Sequence, residues 1–439
     1  MRTERVTFLT SRDHKAALDA YAARNGQSVG NVVREATVRY IAEEHEDEAE
    51  LAALIRDALN FPVPIVRFDE SLRVVELFHG PTFAFKDFGA RTLARFLSHL
   101  DLSTEAPRAK VAGLTVLVAT SGDTGSAVAQ AFWGVPRTRV VVLYPEGQVS
   151  SVQEAQFTTL GGNVMAVAVA GSFDDCQGLA KRAFADEGLQ QRVRLTSANS
   201  ISLGRLVPQM FYYAYAALNA PPGARVVVSV PSGNFGNLVA GVMAWRMGAP
   251  ISGFVAATNV NDTVPRYLQT GRYEPRPSIA TVANAMDVGA PSNFERLAWL
   301  FGGDRSAMSA LITANAHTDA DVKRAIAELH GQYGYVADPH TAIAYLGTKA
   351  PWHPPSLADN RASYGETAPK RPPAAKAGPG APAPWHLFLS TAHPAKFREV
   401  VEPAIGQAVP LPDPLAAALA RPRLVERISP TLGQLAKLL

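Results

Sequence analysis

The chain has 439 residues, 47% of them hydrophobic, and its 42 Lys+Arg against 39 Asp+Glu leave a net charge of +3. That length allows two or three domains with sizeable cores, and so small a charge gives no bulk argument for nucleic acid or an anionic membrane as partner. A single cysteine excludes an internal disulfide, no apolar run approaches the roughly 20 residues that span a bilayer, and the start MRTERVTFLT lacks the apolar core of a secretion signal, so a soluble cytoplasmic protein is expected.

Residues 1–45 read as a strand and two helices. RVTF alternates, His14–Asn25 and Val29–Ile41 carry apolar residues at helical spacing, and Gly26-Gln27-Ser28 separates them. The acidic stretch Glu43–Glu50 reads as a linker or a helix start. From residue 51 to 345 strands alternate with helices: Thr115–Ala119, Arg139–Leu143, Asn163–Val169, Arg225–Val230 and Phe254–Ala257 are the predicted strands. Helices follow TSGDTG and PSGNFGN, the second from about Leu238. This order predicts an α/β protein with parallel sheets and crossover helices. Residues 349–384 are rich in proline and alanine, a composition that builds no packed core, so a surface insertion is expected. A strand at Trp385–Leu389 and a last helical segment at 432–439 follow.

The stretch FHGPTFAFKDFGAR, residues 78–91, threads Lys86 among Phe78, Phe83, Phe85 and Phe88. Either the side chain snorkels past a core or the chain desolvates an amine. Burial lowers a lysine's pKa because the charged form loses hydration, and a neutral amine attacks carbonyls.

Two glycine-bearing loops each follow a strand and open a helix. In VVVSVPSGNFGN, Ser232–Asn237 could converge backbone N–H groups on a phosphate at a helix N-terminus, or be a tight turn with no ligand. The glycine spacing matches neither GxGxxG nor a P-loop. TSGDTGS, residues 120–126, offers the hydroxyls of Thr120, Ser121, Thr124 and Ser126 to a carboxylate or phosphate, or is an ordinary helix start with Asp123 as its cap. A reactive lysine and two anion loops together suit pyridoxal phosphate and an amino-acid substrate. Thr391, past the strand at 385–389, sits where α/β proteins collect ligand contacts, although spacing alone favours a plain loop residue. His79, His340, His386 and His393 lack paired metal-ligand spacing and read as structural hydrogen-bonders, with His340 at a helix start; no metal is expected.

Taken in order, LFHGPTFAFKDFGAR, ATSGDTGSAVAQAF, VVLYPEG, SANSI, VSVPSGNFGN, AATNVNDTVPRYL, NAMDVGAPSNFER and TAHPAKF resemble the threonine synthases of enteric bacteria and yeast, over residues 50–345 and 385–439. The resemblance implies a fold-type II pyridoxal phosphate enzyme, similar in core to the tryptophan synthase β subunit. Two α/β subdomains with parallel-rich sheets would hold the cofactor between them: 46–110 with 196–439 as the larger, 111–195 as the smaller. It implies Lys86 as the Schiff-base lysine, Gly233, Asn234, Phe235, Gly236 and Asn237 around the cofactor phosphate, and Thr391 at the pyridine nitrogen. Ser121 and Thr124 become candidates for the substrate carboxylate. Arg205 becomes a candidate for the substrate phosphate, with a surface salt bridge as its alternative. The implied reaction turns O-phospho-L-homoserine and water into L-threonine and phosphate, in a monomer or homodimer.

The chain departs from that family at three points. Residues 1–45 resemble a ribbon-helix-helix module, in which Arg5 and Thr7 would face DNA; Ser202 replaces a common asparagine; and the insertion at 349–384 is long. The competing readings are a related lyase of the threonine dehydratase kind, and a DNA-binding regulator with a degenerate enzyme domain. The FHGPTFAFKD stretch disfavours the first, and retention of Lys86, both loops and Thr391 disfavours the second.

Overall fold

The computed structural model describes residues 48–99, 113–199, 202–349 and 384–439. The expected head at 1–45, with its DNA-reading strand, and the insertion apart from its two end residues lie outside the described residues.

Two sheets organise the chain. The six-stranded sheet runs β1 (Ile65–Arg67), β2 (Leu72–Glu76), β10 (Trp385–Ser390), β7 (Val226–Pro231), β8 (Gly253–Thr258) and β9 (Ile312–Ala316). Only β1 pairs antiparallel; every other neighbour in this sheet is parallel. The tight turn into β2 is closed by Asp69, whose Oδ1 accepts from the amides of Ser71 at 2.7 Å and Leu72 at 2.8 Å. The five-stranded sheet runs β11 (Val425–Ile428), β5 (Val164–Val169), β4 (Thr138–Pro145), β3 (Leu114–Ala119) and β6 (Leu195–Ser197), all parallel.

The valine-rich runs explain this layering. Every residue of LTVLVA in β3 and of VVVSVP in β7 is buried, as befits parallel strands covered on both faces. Each fully buried valine contributes about 1.5–3 kcal/mol over an exposed one. Close helix packing needs a small residue at one point: a Cβ on Gly347, in the helix Pro339–Lys349, would sit 2.3 Å from the Ser229 hydroxyl of β7.

The two sheets divide the chain differently from the sequence expectation at both ends of the second segment. β6 carries the five-stranded sheet to Ser197, past the expected boundary at 195. The C-terminal β11, expected in the larger unit, pairs with β5, and Leu435 of the last helix packs beside Cys176 and Leu179. Its short run VERI has a mixed burial pattern that gives no strand period. By contrast β10 returns 150 residues or more after β7 in the chain and enters between β2 and β7. This insertion puts the ends of β2, β10 and β7 side by side, where ligands collect in parallel sheets.

Candidate active site

The segment between β2 and the helix Lys86–His99 is tied down by its own side chains and by the end of β10. Asp87 is fully buried and accepts from Thr82 twice, through its amide at 2.9 Å and its hydroxyl at 2.7 Å. Burial pushes the Asp87 carboxyl up to about 6, and the Thr82 bonds oppose this. Gly80 must be glycine here, since a Cβ would lie 2.4 Å from Asp87 Oδ2. Phe83 takes a left-handed φ of 57°. Its carbonyl accepts from the His393 amide at 3.1 Å, and the Phe85 amide donates to the Thr391 carbonyl at 2.9 Å.

These links set Lys86 at the first position of its helix. Its Nζ stands 5.0 Å from the centre of the Phe85 ring and 3.6 Å from Asp123 Oδ2, with 15% of the side chain accessible. Burial pushes the Lys86 pKa down; Asp123 opposes this, while Lys396 and Arg205 add to the lowering. Of the four phenylalanines only Phe85 is seen beside the amine, while Phe88 packs on Phe61 and Tyr212, and Phe78 and Phe83 pack on His393; the buried amine with this partial access suits a nucleophile or a base.

Asp123 does not cap its helix, which removes that alternative for the loop. The helix Asp123–Phe132 begins after Gly122 with no side-chain cap. Instead Asp123 Oδ1 accepts from Lys396 Nζ at 2.6 Å and from Gln153 Nε2 at 2.8 Å, while Oδ2 faces Lys86. Burial pushes this carboxyl up, but the two lysines outweigh it and hold Asp123 well below the usual carboxylate range. Gly122 has φ 143°, and a Cβ there would meet the Gln153 amide at 2.7 Å.

Sequence reasoning missed Lys396. It is wholly buried and also donates to the Thr82 carbonyl at 2.9 Å. The signal was the one that singled out Lys86: in TAHPAKF the lysine stands between Pro394, Ala395 and Phe397 with no acidic neighbour in sequence. His393 caps this turn by accepting from the Ala395 amide at 3.1 Å. Burial lowers the His393 pKa to about 4, with help from His79, so the imidazole is neutral near pH 7.

The hydroxyls after β3 divide into two pairs. Thr120 Oγ1 accepts from the amides of Gly122 at 2.9 Å and Gly125 at 2.8 Å, and Ser126 Oγ donates to the Gln153 carbonyl at 3.1 Å. Those two organise the loop. Ser121 and Thr124, on either side of Asp123, stay partly exposed.

After β7 the chain makes a cradle. Phe235 precedes the helix Gly236–Arg246 with φ 60°. Gly233 lies against another backbone, since a Cβ would fall 2.7 Å from Met286 Cα. Asn234 Oδ1 accepts from the Ser292 amide at 2.6 Å and hydroxyl at 2.9 Å. Asn237 Oδ1 accepts from the hydroxyls of Tyr212 at 2.6 Å and Tyr213 at 2.7 Å, which leaves its buried Nδ2 without a partner. A buried donor left open at a helix N-terminus suits an anion.

Arg205 is 2% exposed, so the surface salt bridge is excluded. One guanidinium nitrogen donates to the Ala198 carbonyl at 2.6 Å, and Nε has no partner. Burial brings its pKa down to about 10, opposed by Asp87.

Comparison with known proteins decides the family. The model of the family described as pyridoxal-phosphate dependent enzyme matches residues 68–355, and that of threonine synthase, C-terminal, matches residues 374–438. The threonine synthase of Serratia marcescens is 42% identical over 404 residues, 91% of this chain and 85% of that protein. The chain belongs to the threonine synthase family. Among solved structures, the Escherichia coli threonine synthase matches with TM-score 0.75 and 42% identity, over 89% of this chain and 83% of that one. The pyridoxal-phosphate-bound threonine synthase of Brucella melitensis matches with TM-score 0.74 and 33% identity over the same shares. The family's fold-type II architecture and its dependence on pyridoxal phosphate are thus those of this chain. The residues present fit that cofactor: a desolvated amine at Lys86, an unpaired buried amide at Asn237 on a helix N-terminus, and the Thr391 hydroxyl at the end of β10.

Proposed function

We propose that the chain converts O-phospho-L-homoserine and water into L-threonine and inorganic phosphate, breaking the C–O bond at Cγ and forming one at Cβ. The observation that carries this reading is the open, desolvated Lys86 amine between the Asp123 carboxylate and the end of β10.

When bound, pyridoxal phosphate supplies an aldehyde for amines and a ring that withdraws electrons from the substrate's α-carbon. Lys86 Nζ is the amine that would hold it and, when free, the atom that carries protons to and from the substrate. Gly233–Asn237 would hold its phosphate, through backbone N–H groups at the start of the helix Gly236–Arg246 and the Asn237 amide. The Thr391 hydroxyl would meet the ring nitrogen, and a neutral hydroxyl there leaves the ring less protonated than a carboxylate would. Ser121 and Thr124 are the proposed contacts of the substrate carboxylate. Arg205 is the proposed contact of the substrate phosphate, through its open Nε. A cytoplasmic setting is consistent with the lone, buried Cys176; among the described residues no helix is long and apolar enough to cross a membrane.

The test is to supply cofactor-loaded protein with O-phospho-L-homoserine and measure threonine and phosphate together. Equal amounts of both, lost in Lys86→Ala, support the reading. Phosphate without threonine, or neither product from the unmutated protein, would remove it.

A further inference from the structure

Two buried amines share one carboxylate in this site. Lys396 Nζ is 2.6 Å from Asp123 Oδ1 and Lys86 Nζ is 3.6 Å from Oδ2, while Gln153 Nε2 takes Oδ1 as well at 2.8 Å. Lys396 is wholly buried, so it does not reach a ligand through the opening that Lys86 keeps. Its other bond, to the Thr82 carbonyl, ties it to the turn that carries Lys86. The other charged groups that act on the trio are Arg205, which acts on Lys86, and Asp87 and His393, which both feel Lys396. Asp87 is occupied by Thr82.

The Lys396–Asp123 pair is neutral as a unit. A protonated Lys86 adds a buried charge with no further carboxylate directed at it, which a low-dielectric site disfavours. A pair that served structure alone would need no third group placed on its second oxygen. We propose that Lys396 is a positioning residue for Lys86: it clamps one oxygen of Asp123, turns the other toward the Lys86 amine, and sets a second positive charge against that amine. This rests on Lys86 being the reacting amine proposed above.

Trace acetylation of the full-length, cofactor-free protein reads the amine directly. The Lys86 peptide is quantified by mass spectrometry across pH, and the midpoint of its reactivity is the measurement. Lys396→Met raises that midpoint by about one pH unit, because an opposing charge is gone and Asp123 then serves Lys86 alone. Asp123→Asn lowers it by about as much, since the stabilising carboxylate is lost. Lys396→Arg, which keeps the charge, leaves it near the unmutated value. An unchanged midpoint in Lys396→Met, with lower thermal stability, would reduce Lys396 to a structural pair and overturn the proposal. Should Lys396→Met not fold, Lys396→Gln takes its place, and an unchanged midpoint in that variant overturns it. No cofactor takes part, so failure here is distinct from failure of Lys86 to hold the cofactor.

Discussion

The Phe85 amide donates to the Thr391 carbonyl across 2.9 Å, so the turn that carries Lys86 is fastened to the end of β10. An antiparallel bridge between Ala84 and Ala392 lies beside it. Both ties are main-chain, which separates the position of Thr391 from the chemistry of its hydroxyl. Thr391→Val should therefore retain cofactor binding at Lys86 while turnover falls about tenfold, the cost of one hydrogen bond to the ring. Parallel measurement of bound cofactor and of kcat checks this.

The Asn237 amide is aimed by two tyrosines. Asn237→Ala should weaken cofactor affinity about tenfold, a loss of roughly 1.5 kcal/mol for one hydrogen bond to a charged group. Tyr212→Phe should weaken it less, because Tyr213 still holds Oδ1. Titration of cofactor into cofactor-free protein, followed by its absorbance, gives both values. Equal affinity in Asn237→Ala and the unmutated protein would take Asn237 out of the cradle.

Gly233→Ala should be costly before any ligand is bound. A methyl group 2.7 Å from Met286 Cα pushes backbone against backbone, and such overpacking costs about 1–3 kcal/mol. A lower thermal midpoint in the cofactor-free protein, with a further loss of cofactor affinity, is the expected result.

Asp87 makes stability depend on pH with a defined sign. Its folded-state carboxyl is pushed up to about 6 from the ordinary aspartate value of about 3.9, so between those values the folded chain binds a proton that the unfolded chain has lost. Stability then falls as pH rises through that window. Asp287, also pushed up to about 6, acts in the same direction. Asp123 is shifted the other way, and its contribution is lost only at more acid pH. Urea unfolding between pH 4 and 6.5 should show a downward slope that Asp87→Asn reduces by up to about 3 kcal/mol across the range. An identical slope in Asp87→Asn would show that this carboxyl is not held against its charge.

Much of the site was legible because its parts are local. The lysine among phenylalanines, the glycine turn after the valine strand and the hydroxyl-rich loop each declare themselves within about ten residues. The strands at 114–119, 226–231 and 385–390 are likewise mostly apolar runs bounded by turn residues. What sequence reasoning missed depends on distant pairing. The role of Asp123 stayed open between a cap and a ligand loop because its two lysine partners lie 37 residues before it and 273 residues after it in the sequence. β11 was not foreseen as a strand because four residues of mixed burial carry no period, and only β5 fixes where they go. For Arg205 the sequence left a phosphate contact and a surface salt bridge open, and its burial follows from packing the sequence does not show: a Cβ on Gly89 of the Lys86 helix would sit 2.4 Å from the Arg205 carbonyl oxygen.

Borohydride reduction of the cofactor-loaded protein, followed by digestion and mass spectrometry, tests the central claim most directly. The account requires the reduced cofactor on the peptide that contains Lys86, with the Lys396 peptide unmodified and no attachment in Lys86→Ala. Cofactor fixed at Lys396 or another lysine, or at none, would contradict it.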